Sequence, residues 1–213
     1  MKFRDRIEAG NLLAERLVES KYARAIVLGI PRGGVILGDI VAKRLGADFD
    51  IVIPRKLGAP KNEELGIGAV MEDGTSYINR YIVNALRIPQ DYIESEKVRQ
   101  AAEIRRRSAA YRKPGLGYNI AGKNVILIDD GIATGATVIA SARWARKRHL
   151  SSLTIAVPVA PSQSADVLGQ EADSLIVLHM PHDFGSVGQF YEEFEPVTDS
   201  QVTQIMRSRG LLL

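Results

Sequence analysis

The chain has 213 residues, of which 46% are hydrophobic and 25% charged, and it contains no cysteine. Such a composition excludes wholesale disorder, disulfides, thiolate catalysis and Cys-ligated metals, and the length suits one domain with an embellishment better than two full ones. Its 28 Lys and Arg exceed 25 Asp and Glu by three, a mild basicity that suits an anionic small molecule and does not by itself argue for nucleic acid.

The start, Met1-Lys2-Phe3-Arg4-Asp5-Arg6, is charged and lacks an apolar signal core. No apolar run approaches the roughly 18 residues of a membrane helix. The expectation is a soluble, cytoplasmic protein without a membrane partner. From Arg4 to Ser20, Ile7, Leu13, Ala14, Leu17 and Val18 recur at helical spacing. Ala25 to Ile30 reads as a buried strand that stops at Pro31. Gly33-Gly34 opens a helix running to Leu45, with Gly46 as its cap. Phe49 to Ile53 is the next strand, halted by Pro54. Gly66 to Met71 and Ser76 to Ile78 suggest a hairpin around Asp73-Gly74.

Pro89 to Arg112 is a long charged helix, broken by Pro114-Gly115-Leu116-Gly117. Between Lys97 and Lys113 lie seven cations and one acid, Glu103. Asn124 to Ile128 is the most apolar strand, followed by a helix from Ala136 to about His149. A strand from Leu153 to Val157, a short helix from Ser162 to Leu168 and a strand from Leu175 to Leu178 come next. Phe184, Phe190, Tyr191 and Phe194 mark the tail, and a capped helix starts near Asp199. Strand–helix alternation with continuous apolar strands implies an α/β fold, with a mostly parallel sheet covered on both faces. The segment from about 58 to 117 interrupts the alternation and reads as an insertion or flap; 179–213 form a small C-terminal hood on a single domain.

The chemistry concentrates in Val125 to Thr137, VILIDDGIATGAT. A buried strand delivers Asp129 and Asp130 at its C-terminal end, where open α/β sheets bind ligands. Ala133, Thr134, Gly135, Ala136 and Thr137 offer backbone N–H groups and two hydroxyls at a helix N-terminus, a phosphate cradle. Paired carboxylates beside it accept hydrogen bonds from vicinal hydroxyls and can assist a divalent cation. Phosphate beside a diol describes a phosphorylated sugar. A Walker loop is excluded because no Gly-Lys-Ser/Thr closes the turn, and G-x-G-x-x-G spacing is missing. His149, His179 and His182 lack zinc spacing, and there is no Gly-x-Ser-x-Gly elbow.

This run resembles the thirteen-residue PRPP-binding signature of type I phosphoribosyltransferases: four apolar residues, two acids and a Thr-Gly-x-Thr loop. Phe3-Arg4-Asp5-Arg6 with Ala9-Gly10, Arg55-Lys56-Leu57-Gly58, Gly68-Ala69-Val70 and Val187 to Phe194 resemble a bacterial and archaeal group of stand-alone phosphoribosyltransferase-domain proteins, mostly of unassigned substrate. His182-Asp183 departs from the group, where Glu-Pro is expected. The resemblance implies the type I phosphoribosyltransferase fold. It also implies Mg²⁺-dependent transfer of 5-phosphoribosyl from PRPP to a nitrogenous acceptor, with release of diphosphate. Asp129, Asp130, Arg32 and Lys56 would carry the catalysis. Residues 133–137 would take the 5′-phosphate, and Pro31, Arg32, Gly33 and Gly34, with Arg55 and Lys56, the diphosphate. Mg²⁺ would be held mainly by PRPP, with Asp129 and Asp130 contributing indirectly. Gly58 to Glu63 would begin a mobile loop closing over the reaction centre.

Phe184, Val187, Phe190 and Tyr191 are candidates for the acceptor pocket, and core packing explains them equally well. Ala133 stands where 6-oxopurine members carry an acid, which argues against hypoxanthine and guanine. A PRPP- or nucleotide-sensing regulator, with the basic helix on RNA, is the alternative, nucleic acid being the less favoured partner. A third reading is nucleotide hydrolysis or phosphorolysis. A homodimer follows from fold-level analogy alone.

Overall fold

The computed structural model describes residues 1–20, 22–60 and 62–213, with main chain only at position 64. Its elements in chain order are α1 (Arg6–Val18), β1 (Ala25–Gly29), α2 (Gly33–Leu45), β2 (Asp48–Ile51), β3 (Arg55–Ala59), β4 (Asn62–Val70), β5 (Ser76–Ile78), α3 (Arg80–Ala85) and α4 (Gln90–Tyr111). There follow β6 (Asn124–Ile128), α5 (Ala136–Arg146), β7 (Ser152–Val159), α6 (Ser162–Glu171), β8 (Ser174–His179), a 3-10 turn (Val187–Phe190) and α7 (Asp199–Ser208).

Five strands form one sheet in the order β2-β1-β6-β7-β8, and every neighbouring pair is parallel. The inner strands are mostly apolar and buried because helices cover both faces. Val27 and Ile126 face the core shared with α1, α2 and α7, whereas Leu28 and Leu127 face α5 and α6. Register fixes what matters for function. Gly29 pairs with Ile128 in β6, so the loops leaving β1 and β6 start level, side by side at the carboxyl edge.

The flap differs in its start from the sequence expectation. Arg55 and Lys56 already lie in β3, which with β4 and β5 makes a separate antiparallel sheet. The loop expected from Gly58 is therefore largely strand, since Gly58 pairs with Gly66 and Ala59 with Asn62. Lys61, which falls in that expected loop, lies outside the described residues. The hairpin around Asp73-Gly74 is present, with the Thr75 N–H donating to Asp73 Oδ1 at 2.9 Å.

The basic helix also needs correction. Lys97 pairs with Glu94, Arg99 with Glu96 and Glu63, and Arg106 and Arg107 with Glu103. Arg112 is buried and bridges to Asp50. Glu63, Glu94, Glu96 and Asp50 lie outside the span whose charges looked unbalanced. Five of the seven cations between Lys97 and Lys113 thus have acidic partners, and the helix is less unbalanced in charge than its sequence span suggests. The cations ending α5 are likewise paired: Arg143 with Glu171, Arg146 with Asp173 and Arg148 with Asp73.

The N-terminal segment pairs with the stretch between the 3-10 turn and α7. The Phe3 N–H donates to the Phe190 carbonyl at 2.8 Å, and the Glu192 N–H donates to the Phe3 carbonyl at 2.8 Å. Asp5 then caps α1, its Oδ1 accepting from the Glu8 N–H at 2.8 Å. This arrangement carries Arg6, the first residue of α1, toward the end of β6.

Candidate functional site

The buried strand β6 ends at two half-buried acids. The Asp130 N–H donates to Asp129 Oδ1 at 2.9 Å. Burial, reinforced by the negative charge of Asp130, holds the Asp129 carboxyl well above the usual carboxylate range. Asp130 is fixed at both ends. Arg6 Nε donates to its Oδ2 at 2.8 Å, and the Tyr191 hydroxyl donates to its backbone carbonyl at 2.6 Å. The side chains of Arg6 and Asp130 are only 11% and 16% exposed, so water screens this pair weakly.

Beyond the acids the chain turns into α5. Gly135 caps the helix with a φ of 77°, a left-handed conformation that glycine adopts without a Cβ penalty. Ala133 and Thr134 are exposed, and the N–H groups of residues 133–137 donate to no acceptor among the described residues. Unclaimed amides at a helix start, with the positive end of the helix dipole behind them, are suited to a phosphate group.

The neighbouring loop joins β1 to α2. Its start is tied to the acid strand, the Ile30 N–H donating to the Ile128 carbonyl at 2.8 Å. The Pro31–Arg32 peptide bond is cis. A Cβ on Gly33 would fall 1.8 Å from Asp130 Oδ2, and one on Gly34 would fall 2.5 Å from the Ile128 carbonyl oxygen. Only glycine lets the two loops approach this closely. Arg32 extends from the loop with its Nη1 3.5 Å from Asp199 Oδ1. The same Asp199 oxygen accepts a short hydrogen bond from the Tyr111 hydroxyl. That bond, more than any other influence, draws the Asp199 carboxyl below the usual carboxylate range.

Residues 31–34 and 129–137 are therefore brought together at one edge of the sheet, whereas Arg55 is engaged elsewhere. Arg55 is turned onto α4, its Nε donating to Gln100 Oε1 at 3.0 Å. Burial, then the neighbouring Arg107, pushes its guanidinium below the usual range. Lys56 is exposed in β3 with its stem along Gly66, where an added Cβ would lie 3.0 Å from Lys56 Cδ.

Tyr191 is corrected from acceptor wall to strut. It is buried, with its ring 5.5 Å from that of Phe3 and 4.9 Å from that of Phe194, and its hydroxyl is spent on Asp130. Phe184 and Phe190 keep half-buried rings, stacked with centroids 5.3 Å apart. Val187 packs over Gly131, where a Cβ would meet its Cγ1 at 2.4 Å. His182 and Asp183 are exposed. Arg6, Phe194 and Glu195 join the site without having been named as site residues. For Arg6 the available signal was its place in the Phe3-to-Arg6 run.

As to a metal, no group of three or more His, Asp or Glu side chains is placed to hold one among the described residues. One oxygen of Asp130 is already engaged by a guanidinium, which disfavours direct coordination there. The acids fit a supporting role toward a cation that arrives with a polyphosphate, and they do not form a cage.

The model of the phosphoribosyl transferase domain family matches residues 4–188. The chain is 35% identical over 204 residues to the Mycobacterium tuberculosis protein Rv0571c, which bears a phosphoribosyl transferase name; the match covers 96% of this chain and 46% of that protein. The chain thus spans about half the length of this curated relative. An adenine phosphoribosyltransferase of Corynebacterium glutamicum is 28% identical over 151 residues, covering 70% of this chain and 63% of that protein. Among solved structures, the protein TT1426 from Thermus thermophilus is 39% identical, with a TM-score of 0.82 and full coverage of both chains.

Proposed function

Because this chain belongs to the phosphoribosyl transferase domain family, we propose that it transfers the 5-phosphoribosyl group of PRPP to a nitrogenous acceptor and releases diphosphate. The observation that carries this reading is the meeting of two loops. The register of β1 on β6 and the glycines at 33 and 34 put two helix starts beside one pair of acids. One helix start suits a 5′-phosphate, the other suits a diphosphate, and the acids between them suit the ribose hydroxyls.

In the reaction, the bond from the anomeric carbon to the diphosphate oxygen breaks and its electron pair leaves with the diphosphate. The acceptor nitrogen supplies the pair for the new carbon–nitrogen bond and gives up its proton. Positive charge builds on the ribose and negative charge on the leaving group. Asp129 and Asp130 hold the hydroxyls and oppose the ribose charge. Arg32 and the amides of Gly33 and Gly34 take the leaving charge, and residues 133–137 anchor the far phosphate. Mg²⁺ would supply further neutralisation on the diphosphate. The Phe184–Phe190 stack is the surface offered to a flat acceptor.

One panel tests the reading. Nucleobases and other amines are each incubated with PRPP and Mg²⁺, and diphosphate release is followed. Acceptor-dependent release is expected. PRPP binding without release from any acceptor would point to a sensor instead, and failure to bind PRPP would end both readings.

A further inference from the structure

Arg6 has no partner in its own helix and reaches across to the acid loop. Its guanidinium is held on three sides. Nε meets Asp130 Oδ2 at 2.8 Å, Nη1 donates to the Glu195 carbonyl at 2.8 Å, and the planar group lies 3.9 Å from the Phe194 ring centre. The anchors come from two stretches far from Arg6 in sequence, the end of β6 and the segment after β8. A guanidinium fixed in this way cannot follow a moving carboxylate, so it dictates where Asp130 sits.

We propose that Arg6 is a positioning residue for the ribose-binding acid, locking Asp130 so that its free oxygen meets a hydroxyl of the bound sugar phosphate. The proposal rests on the ribose-phosphate reading given above. Asp130 Oδ2 is taken by Arg6, while no N–H donor among the described residues reaches Oδ1 and its one side-chain neighbour is the Asp129 carboxyl. The Tyr191 hydroxyl fixes the carbonyl of the same residue. Asp130 thus has its main chain and one carboxylate oxygen restrained and one oxygen available. Binding a diol then costs little side-chain ordering, because that ordering is complete before the ligand arrives. The positive charge of Arg6 also offsets the repulsion between neighbouring carboxylates.

A purely structural Arg6 would knit the N-terminal segment to the hood and do nothing else. The two roles separate in a ligand comparison. Wild type, Arg6→Lys and Arg6→Gln are titrated calorimetrically with ribose 5-phosphate, its 2-deoxy and 3-deoxy analogues, and inorganic diphosphate, alongside thermal melting. Wild type should prefer ribose 5-phosphate over at least one deoxy sugar. Arg6→Gln should weaken ribose 5-phosphate about tenfold and shrink that preference, consistent with losing one charge-assisted contact. Its affinity for diphosphate should stay within about twofold, and Arg6→Lys should recover part of the loss. Equal weakening of all four ligands, or an unchanged preference in both variants, would overturn the proposal even where wild type binds as expected. A wild type that binds no ribose 5-phosphate, or binds it without regard to its hydroxyls, would overturn the underlying site reading and this role with it. If Arg6→Gln does not fold, Arg6→Lys decides alone, because it keeps the charge and loses the planar fork.

Discussion

Gly33 and Asp130 occupy the same small volume: a Cβ on the first would lie 1.8 Å from Oδ2 of the second. The β1–α2 loop and the acid loop therefore close on each other across a gap that fits hydrogen and nothing larger. Asp130 cannot swing away without leaving Arg6, which holds the same oxygen at 2.8 Å. The glycine, the acid and the arginine form one geometric unit assembled from three parts of the chain.

Gly33→Ala should consequently act on both loops at once. The added methyl forces either Asp130 off Arg6 or the β1–α2 loop off the sheet edge. The expected result is a stability loss of about 1–3 kcal/mol. Affinity for diphosphate and for ribose 5-phosphate should fall together, each by roughly tenfold or more. Thermal melting and calorimetry on the purified variant check this. Wild-type melting with wild-type affinities would show that the close approach is not maintained in solution.

Asp130→Asn isolates the charge from the shape. An asparagine keeps a carbonyl for Arg6 Nε, so the fold should survive with a loss of about 1–2 kcal/mol. Turnover should drop at least tenfold, because a carboxylate facing the developing ribose charge contributes about 2–4 kcal/mol to barrier lowering. Rates of diphosphate release with the best acceptor of the panel provide the measurement. Unchanged PRPP binding and unchanged turnover would refute the role given to Asp130.

The pattern of legibility follows from range. The segment from Asn124 to Thr137 could be read because strand, acids and helix start are contiguous, and their local chemistry dictates their form. The helices α2 and α7 were equally open, being bounded by Gly46 and by the Thr198–Gln201 capping box. Arg6 and Asp130 stand 124 positions apart, and Asp50 and Arg112 stand 62 apart. No periodicity or spacing rule reaches that far, so Arg112 read as part of a basic helix and Tyr191 was left between acceptor pocket and core. The start of the flap failed for a different reason. β2 ends at Ile51, before Pro54, and Arg55 to Ala59 lacks an apolar run and is a strand only because β4 pairs with it.

The Asp50–Arg112 pair yields a stability prediction well away from the ligand loops. Arg112 Nε and Nη2 donate to Asp50 Oδ1 and Oδ2 at 2.9 and 2.7 Å, and the guanidinium lies 4.0 Å from the centre of the Tyr118 ring. Both side chains are about 5% exposed. Removing one partner leaves the other charge buried and unpaired, which costs about 3–5 kcal/mol. Asp50→Ala should therefore lower the denaturant midpoint sharply. The double variant Asp50→Leu with Arg112→Met should lose less than Asp50→Ala. A double variant worse than the single change would show that the pair itself, rather than the orphaned charge, provides the stability.

Asp129 supplies the pH dependence, and its sign is opposite to that of most carboxylates in a folded protein. Burial and the adjacent Asp130 raise its folded pKa above the unfolded value of 3.8. The folded chain therefore binds this proton more tightly than the unfolded chain does. The associated stability is fully present below about pH 4 and is lost as pH rises through the folded pKa. Asp129→Asn cannot ionise and escapes that loss. The variant should be more stable than wild type at pH 8, with the difference shrinking as the pH falls and vanishing near pH 4. Its affinity for ribose 5-phosphate should drop under the proposed function, in which the Asp129 oxygens meet the ribose hydroxyls. A site that holds a carboxylate against its own solvation exchanges stability for binding, and that exchange is expected where charge must meet a ligand. Denaturant titrations of both proteins between pH 4 and pH 8 measure the difference directly. A variant less stable than wild type by the same amount at every pH would show that Asp129 contributes packing and no strained charge.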